Sequence, residues 1–131
     1  MATIQKFVDL EVWQKARVLS FEVYTLTFNP PLSSDFRLKD QMRGSCGSIM
    51  DNIAEGFERS SRLEFINSLG IAKGEAGELK SQLYRCLDNS YINREAFDHL
   101  YLMANKVTKM ITSLITYLNK SDYKGQKFKN R

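Results

Sequence analysis

Phe65, Leu69, Ala72, Ala76, Leu79, Leu83 and Cys86 follow one another at steps of four and three residues. Phe97, Leu100, Ala104, Val107, Ile111, Leu114 and Leu118 repeat the device in the last quarter of the chain. That seven-residue period lays one apolar seam along each of two long helices. It suits near-parallel or antiparallel packing with a left-handed twist. No stretch alternates with period two over a useful length, so no sheet is predicted.

Two further helices fit the same scheme. Asp9 is placed to cap the first, Glu11 favours its positive end, and Val8 is placed to staple onto Trp13. Trp13, Ala16, Ser20, Val23, Tyr24 and Thr27 share one helical face, with Val12 and Leu19 on its shoulder. Asn29-Pro30-Pro31 ends that helix, since proline cannot continue it, and a polar connection runs from Leu32 to Arg37. The second helix is expected from Leu38 to Phe57, with Met42, Cys46, Ile49, Met50, Ile53 and Phe57 as its buried stripe. Ser61-Arg62-Leu63-Glu64 reads as a capping box opening helix three, and Asn93 as the cap of helix four. The expected fold is all-α, an antiparallel up-down-up-down four-helix bundle over residues 1–118 with a basic tail over 119–131.

The charge follows that division. The whole chain carries +4, but residues 1–118 hold 14 cationic and 14 acidic side chains. The excess therefore lies in Lys120, Lys124, Lys127, Lys129 and Arg131, opposed by Asp122 alone. Such a tail is either a solvated terminus or a basic arm that lands on phosphates. No apolar run is long enough to cross a bilayer and no signal-peptide block opens the chain, so no membrane partner is expected. Two cysteines make no disulfide framework, which fits a cytoplasmic protein.

Little in the sequence points to catalysis. A di-iron bundle needs two Glu-x-x-His pairs, and the single His99 cannot supply them, so neither metal nor cofactor is expected. Cys46 and Cys86 fall on apolar stripes and read as small core residues. Asp51 and Glu55 share a face, as do Glu75 and Glu78, but without a pocket or a third group such pairs read as surface or packing residues. No GxxxxGK[ST], GxGxxG or GxSxG motif occurs. Non-enzymatic binding is the expectation.

Glycines and arginines say more. Gly44, Gly47, Gly70, Gly74 and Gly77 lie inside helices, where each costs about 1 kcal/mol relative to alanine. Close approach of another backbone would offset that cost, either within the chain or at a subunit contact. Arg43, Arg59, Arg62 and Lys73 surround the turn between helices two and three. Arg59 and Arg62 stand by a helix start that also favours anions. They could bind phosphate or pair with Glu55, Glu58 and Glu64.

Asp51-Asn52-Ile53-Ala54-Glu55-Gly56-Phe57-Glu58-Arg59 is the most specific stretch. With Leu10-x-x-Trp13-x-x-Ala16, Gln41-x-Arg43, Ser48-Ile49, Glu64-Phe65 and Ile71-Ala72-Lys73-Gly74, it resembles the four-helix-bundle proteins encoded in 23S rRNA intervening sequences. The resemblance runs from Phe7 to Leu118. That family includes the accessory variability protein of diversity-generating retroelements. The resemblance implies a homopentameric barrel and, as in the accessory protein, a basic surface for RNA or DNA and for a reverse transcriptase. Arg43, Arg59 and Lys73 match basic positions of the motifs, whereas Arg62 and the tail belong to no fixed pattern. Asn52, Glu55 and Gly56 match the signature and read as structural, with Gly56 letting the chain turn into Arg59. The leading expectation is a homo-oligomer that binds nucleic acid through phosphates with little sequence readout. The alternative is a protein–protein scaffold whose tail only solubilises it.

Overall fold

The computed structural model describes residues 4–120. The tail cations Lys124, Lys127, Lys129 and Arg131 lie outside the described residues. Four helices dominate: α1 spans Glu11–Leu26, α2 Phe36–Glu58, α3 Arg62–Asp88 and α4 Arg94–Lys120. Short 3-10 turns occupy Phe7–Asp9 and Leu32–Ser34, and no strand occurs among the described residues.

α2 runs antiparallel to α3, and α3 to α4, as cross-helix pairs show. Ser45 of α2 donates to Glu78 of α3, and Arg85 of α3 donates to Gln41 of α2, so numbering rises along one helix as it falls along the other. Lys80 of α3 reaches Asn105 of α4, while Arg62 reaches Leu118. His99 of α4 meets Glu22 of α1. The helices stand at the corners of a square in chain order, α1 closing on α4, and the diagonal pairs scarcely touch.

The two heptad seams of α3 and α4 are buried as expected, with only Leu114 half-exposed. Phe57 and Phe65 meet edge to face near the α2–α3 turn, with centroids 5.9 Å apart. α1 departs from expectation. Its buried line is Val12, Ala16, Leu19 and Val23, while Trp13 sits at the margin and Tyr24 is exposed. Asp9 does not cap α1; Leu10 holds the cap position without a side-chain bond. Trp13 meets Phe7 edge to face at 5.2 Å instead of Val8, which is exposed. The connection expected to be polar buries Leu32 completely. α2 starts two residues early, at Phe36, because Asp35 caps it by accepting from the Leu38 amide at 3.1 Å. α4 continues through Asn119 and Lys120, residues assigned to the tail from sequence.

Candidate nucleic-acid interface

The turn joining α2 to α3 is three residues long. Ser60 takes a left-handed conformation with φ of 61°, and its amide donates to the Phe57 carbonyl at 3.3 Å. Ser61 then caps α3, accepting from the Glu64 amide at 3.4 Å. Only half of the capping box forms, because the Glu64 carboxylate turns to Arg59.

Arg59 sits between two carboxylates, 3.1 Å from Glu55 and 3.2 Å from Glu64. The hydrogen bond to Glu55, and then that to Glu64, raises its pKa above the ordinary arginine value. Arg62 points across the pole of the bundle and donates to the Leu118 carbonyl at 3.2 Å, satisfying part of the open end of α4. That bond brings Arg59, Arg62 and Lys120 to one pole of the bundle, and residues 121–131 follow directly from it.

Arg43 and Lys73 are elsewhere. The Arg43 Nε donates to the buried Thr27 hydroxyl at 2.8 Å, and its guanidinium lies over Tyr24 at 4.4 Å and Phe28 at 5.0 Å. It is a clamp between α1 and α2, a role visible only once the two helices are packed. Lys73 is exposed near the middle of α3, with no ion pair or hydrogen bond among the described residues. It stands about 16 Å along the helix from Arg62.

The signature residues do structural work within one chain. Asn52 donates to the Ser48 carbonyl at 2.8 Å and to its hydroxyl at 3.0 Å, inside α2. Glu55 holds Arg59. Gly56 does not make the turn into Arg59; Ser60 does. A Cβ at Gly56 would lie 2.5 Å from the Ser68 Cβ and 3.1 Å from the Phe65 ring, so glycine is required for α2 to approach α3. Gly44, Gly47, Gly70, Gly74 and Gly77 are different, since a Cβ on any of them would meet nothing within 4 Å. Close packing inside the chain is therefore not what these five serve.

Other reactive groups are either shielded or incomplete. Burial pushes the Cys46 thiol up to about 12 and the Cys86 thiol to about 11. Both stay protonated near neutrality, as core residues should. His99 Nε2 lies 2.7 Å from Glu22, beside a groove of about 220 Å³. The other lining residues are Lys15, Val18, Met103, Lys106 and Val107, none of them a hydroxyl or thiol nucleophile. No group of three metal-ligating side chains assembles among the described residues. No helix among them is long and apolar enough to cross a membrane.

A four-helix bundle with a sequence signature packed at the α2–α3 seam and cations gathered at the adjacent pole defines the class. Residues 8–113 match the sequence profile of the 23S rRNA-intervening sequence proteins, and the chain belongs to that family. A solved structure similar to it is a protein of unknown function from the S23 ribosomal protein family of Bacteroides thetaiotaomicron VPI-5482. The two share 28% identity, with a TM-score of 0.75, over 80% of this chain and 95% of that one. No curated protein matches the chain.

Proposed function

We propose that this protein is a non-enzymatic homo-oligomer that binds RNA or DNA through phosphates at the α2–α3 pole. The observation that carries the reading is the Arg62–Leu118 bond. It joins Arg59, Arg62 and Lys120 to the origin of the segment that holds the chain's whole net charge. Arg59 and Arg62 offer residual donors there beside a helix N-terminus. The homopentamer implied by the family resemblance would gather several such segments at one rim and multiply their effect. Lys73 and Arg43 are left out of the contact surface by position and by engagement.

Binding of a single-stranded RNA and of a duplex DNA at rising salt tests the reading. Affinity should fall linearly with salt on logarithmic axes, and removal of residues 121–131 should flatten the slope. Absence of binding at low salt, or affinity indifferent to salt, defeats it.

The engagement of Arg43 and Arg59 inside the chain, together with a charge-neutral body, favours a second reading, a protein scaffold. A protein partner retained after nuclease treatment, such as a reverse transcriptase, supports that reading.

A further inference from the structure

We propose that the seam between α1 and α4 is a docking groove for an acidic amphipathic helix of a partner protein, which sets apolar side chains seven residues apart into three hollows along it. The proposal depends neither on the phosphate-binding pole nor on assembly between copies of the chain.

The hollows follow the heptad of α4. Met103, Lys106 and Val107 line the middle one, of about 220 Å³. Seven residues earlier, Ala96, His99 and Leu100 line a second of about 220 Å³. Seven residues later, Met110, Ser113 and Leu114 line the third, of about 370 Å³. α1 keeps the same step in the opposite direction, with Thr25, Val18 and Glu11 contributing one to each hollow. The hollows therefore stand about 10 Å apart along α4. Seven residues of a second helix cover the same distance. Its side chains at i, i+7 and i+14 would meet all three hollows, as knobs enter holes in a coiled coil.

The lining says what fills them. Ala96, Met103, Met110 and Leu114 are only half-buried on the α4 wall, and Val18 is 49% exposed on the α1 wall. Methionines in such a place adapt to whatever side chain packs on them. No Phe, Tyr or Trp lines any hollow, so the groove offers no ring on which a nucleobase would stack. Two of the hollows fall below the roughly 300 Å³ at which small-molecule pockets begin, a size that suits single side chains.

The rim is cationic. Lys15, Lys106 and Lys109 border the hollows and form no ion pair among the described residues, whereas Glu22 is held by His99 at 2.7 Å. Glu11 is the remaining carboxylate beside them. Three ammonium groups against one carboxylate select an occupant with acidic residues flanking its apolar line. A second copy of the chain does not supply that line. No three of its exposed large apolar residues, among those described, stand seven apart, and the one pair that does, Phe21 and Phe28, stands beside Arg17.

A fluorescein-labelled synthetic peptide of three heptads, with leucines seven residues apart flanked by glutamates on an alanine background, tests the groove by anisotropy. Saturable binding of one peptide per chain is expected. Spacing the leucines by five residues, or replacing the glutamates with lysines, should weaken it about tenfold or more. Val18→Glu, at an exposed position over the middle hollow, should do the same while the helical circular dichroism stays that of the wild type. Lys15→Glu with Lys106→Glu should weaken binding and lower its salt dependence, and Leu102→Glu, away from the groove, should change nothing. Deleting residues 121–131 should leave the peptide affinity intact, which separates this groove from the phosphate pole. Absence of saturable binding, equal binding of the respaced peptide, indifference to both the Val18 and the paired lysine variants, or displacement of the peptide by a single-stranded RNA overturns the proposal.

Discussion

Glycine and serine occupy each other's expected places in this bundle. Gly70, Gly74 and Gly77 lie in the straight run of α3, under open space, where alanine would suit the backbone better. Ser60 and Ser90 take φ values of 61° and 60°, a conformation in which glycine is the usual residue. Both close their helix ends in the same way, with the serine amide bonded to a carbonyl three residues back. Local backbone preference therefore does not explain the glycines of α3. Gly56 shows the contrasting case, a glycine that its own chain demands.

The largest effect is expected at Gly56. In Gly56→Ala the new methyl would collide with the Ser68 Cβ, which belongs to a packed helix and cannot swing aside. Overpacking of this kind costs about 1–3 kcal/mol in urea unfolding. Ser68→Gly in the same background removes the obstructing atoms, so the two substitutions should be strongly non-additive in a double-mutant cycle. Additive costs would mean that the seam can open at Gly56, and the contrast with α3 would collapse.

The seams of α2, α3 and α4 were legible because their apolar residues keep one period over many turns and nothing competes with it. On α1 Ala16, Val23 and Thr27 are buried as expected, but the shoulder residues Val12 and Leu19 fill the core in place of Trp13, Ser20 and Tyr24. Trp13 and Tyr24 are large and amphipathic, so they served as markers of the core, yet such residues sit well at a margin with one edge in water. The cations were harder. Arg62 bonds a carbonyl 56 residues away, and Arg43 a hydroxyl 16 residues away. No local pattern announces such partners, whereas the Arg59 pairs with Glu55 and Glu64 lie within reach of spacing rules. Glycine was ambiguous for a related reason: its identity declares that a side chain is absent, not which surface benefits.

Gly74→Ala and Gly77→Ala sharpen the comparison next. With open space over both, each should stabilise the separated chain by about 1 kcal/mol. If a contact between copies of the chain uses that space, the same variants should weaken assembly, moving light-scattering mass down as the unfolding midpoint of the diluted chain moves up. Unchanged mass together with raised stability would leave these glycines without a role at the subunit contact.

Ser90→Gly should give the smallest change, and its sign matters more than its size. The Tyr91 amide donates to the Cys86 carbonyl at 2.8 Å and the Ser90 amide to that of Leu87 at 3.1 Å, a Schellman closure with Ser90 at its left-handed position. Relieving a left-handed side chain gains about 1–2 kcal/mol. The freer unfolded chain takes back about 0.4–1 kcal/mol. The expected net is a stabilisation of about 0.8 kcal/mol, read as a higher urea midpoint with an unchanged slope. The Ser90 hydroxyl makes no hydrogen bond among the described residues, so no lost contact offsets the gain. A destabilised Ser90→Gly variant would show that serine holds this helix end by more than its backbone, and would return Ser90 to the residues whose side chain matters.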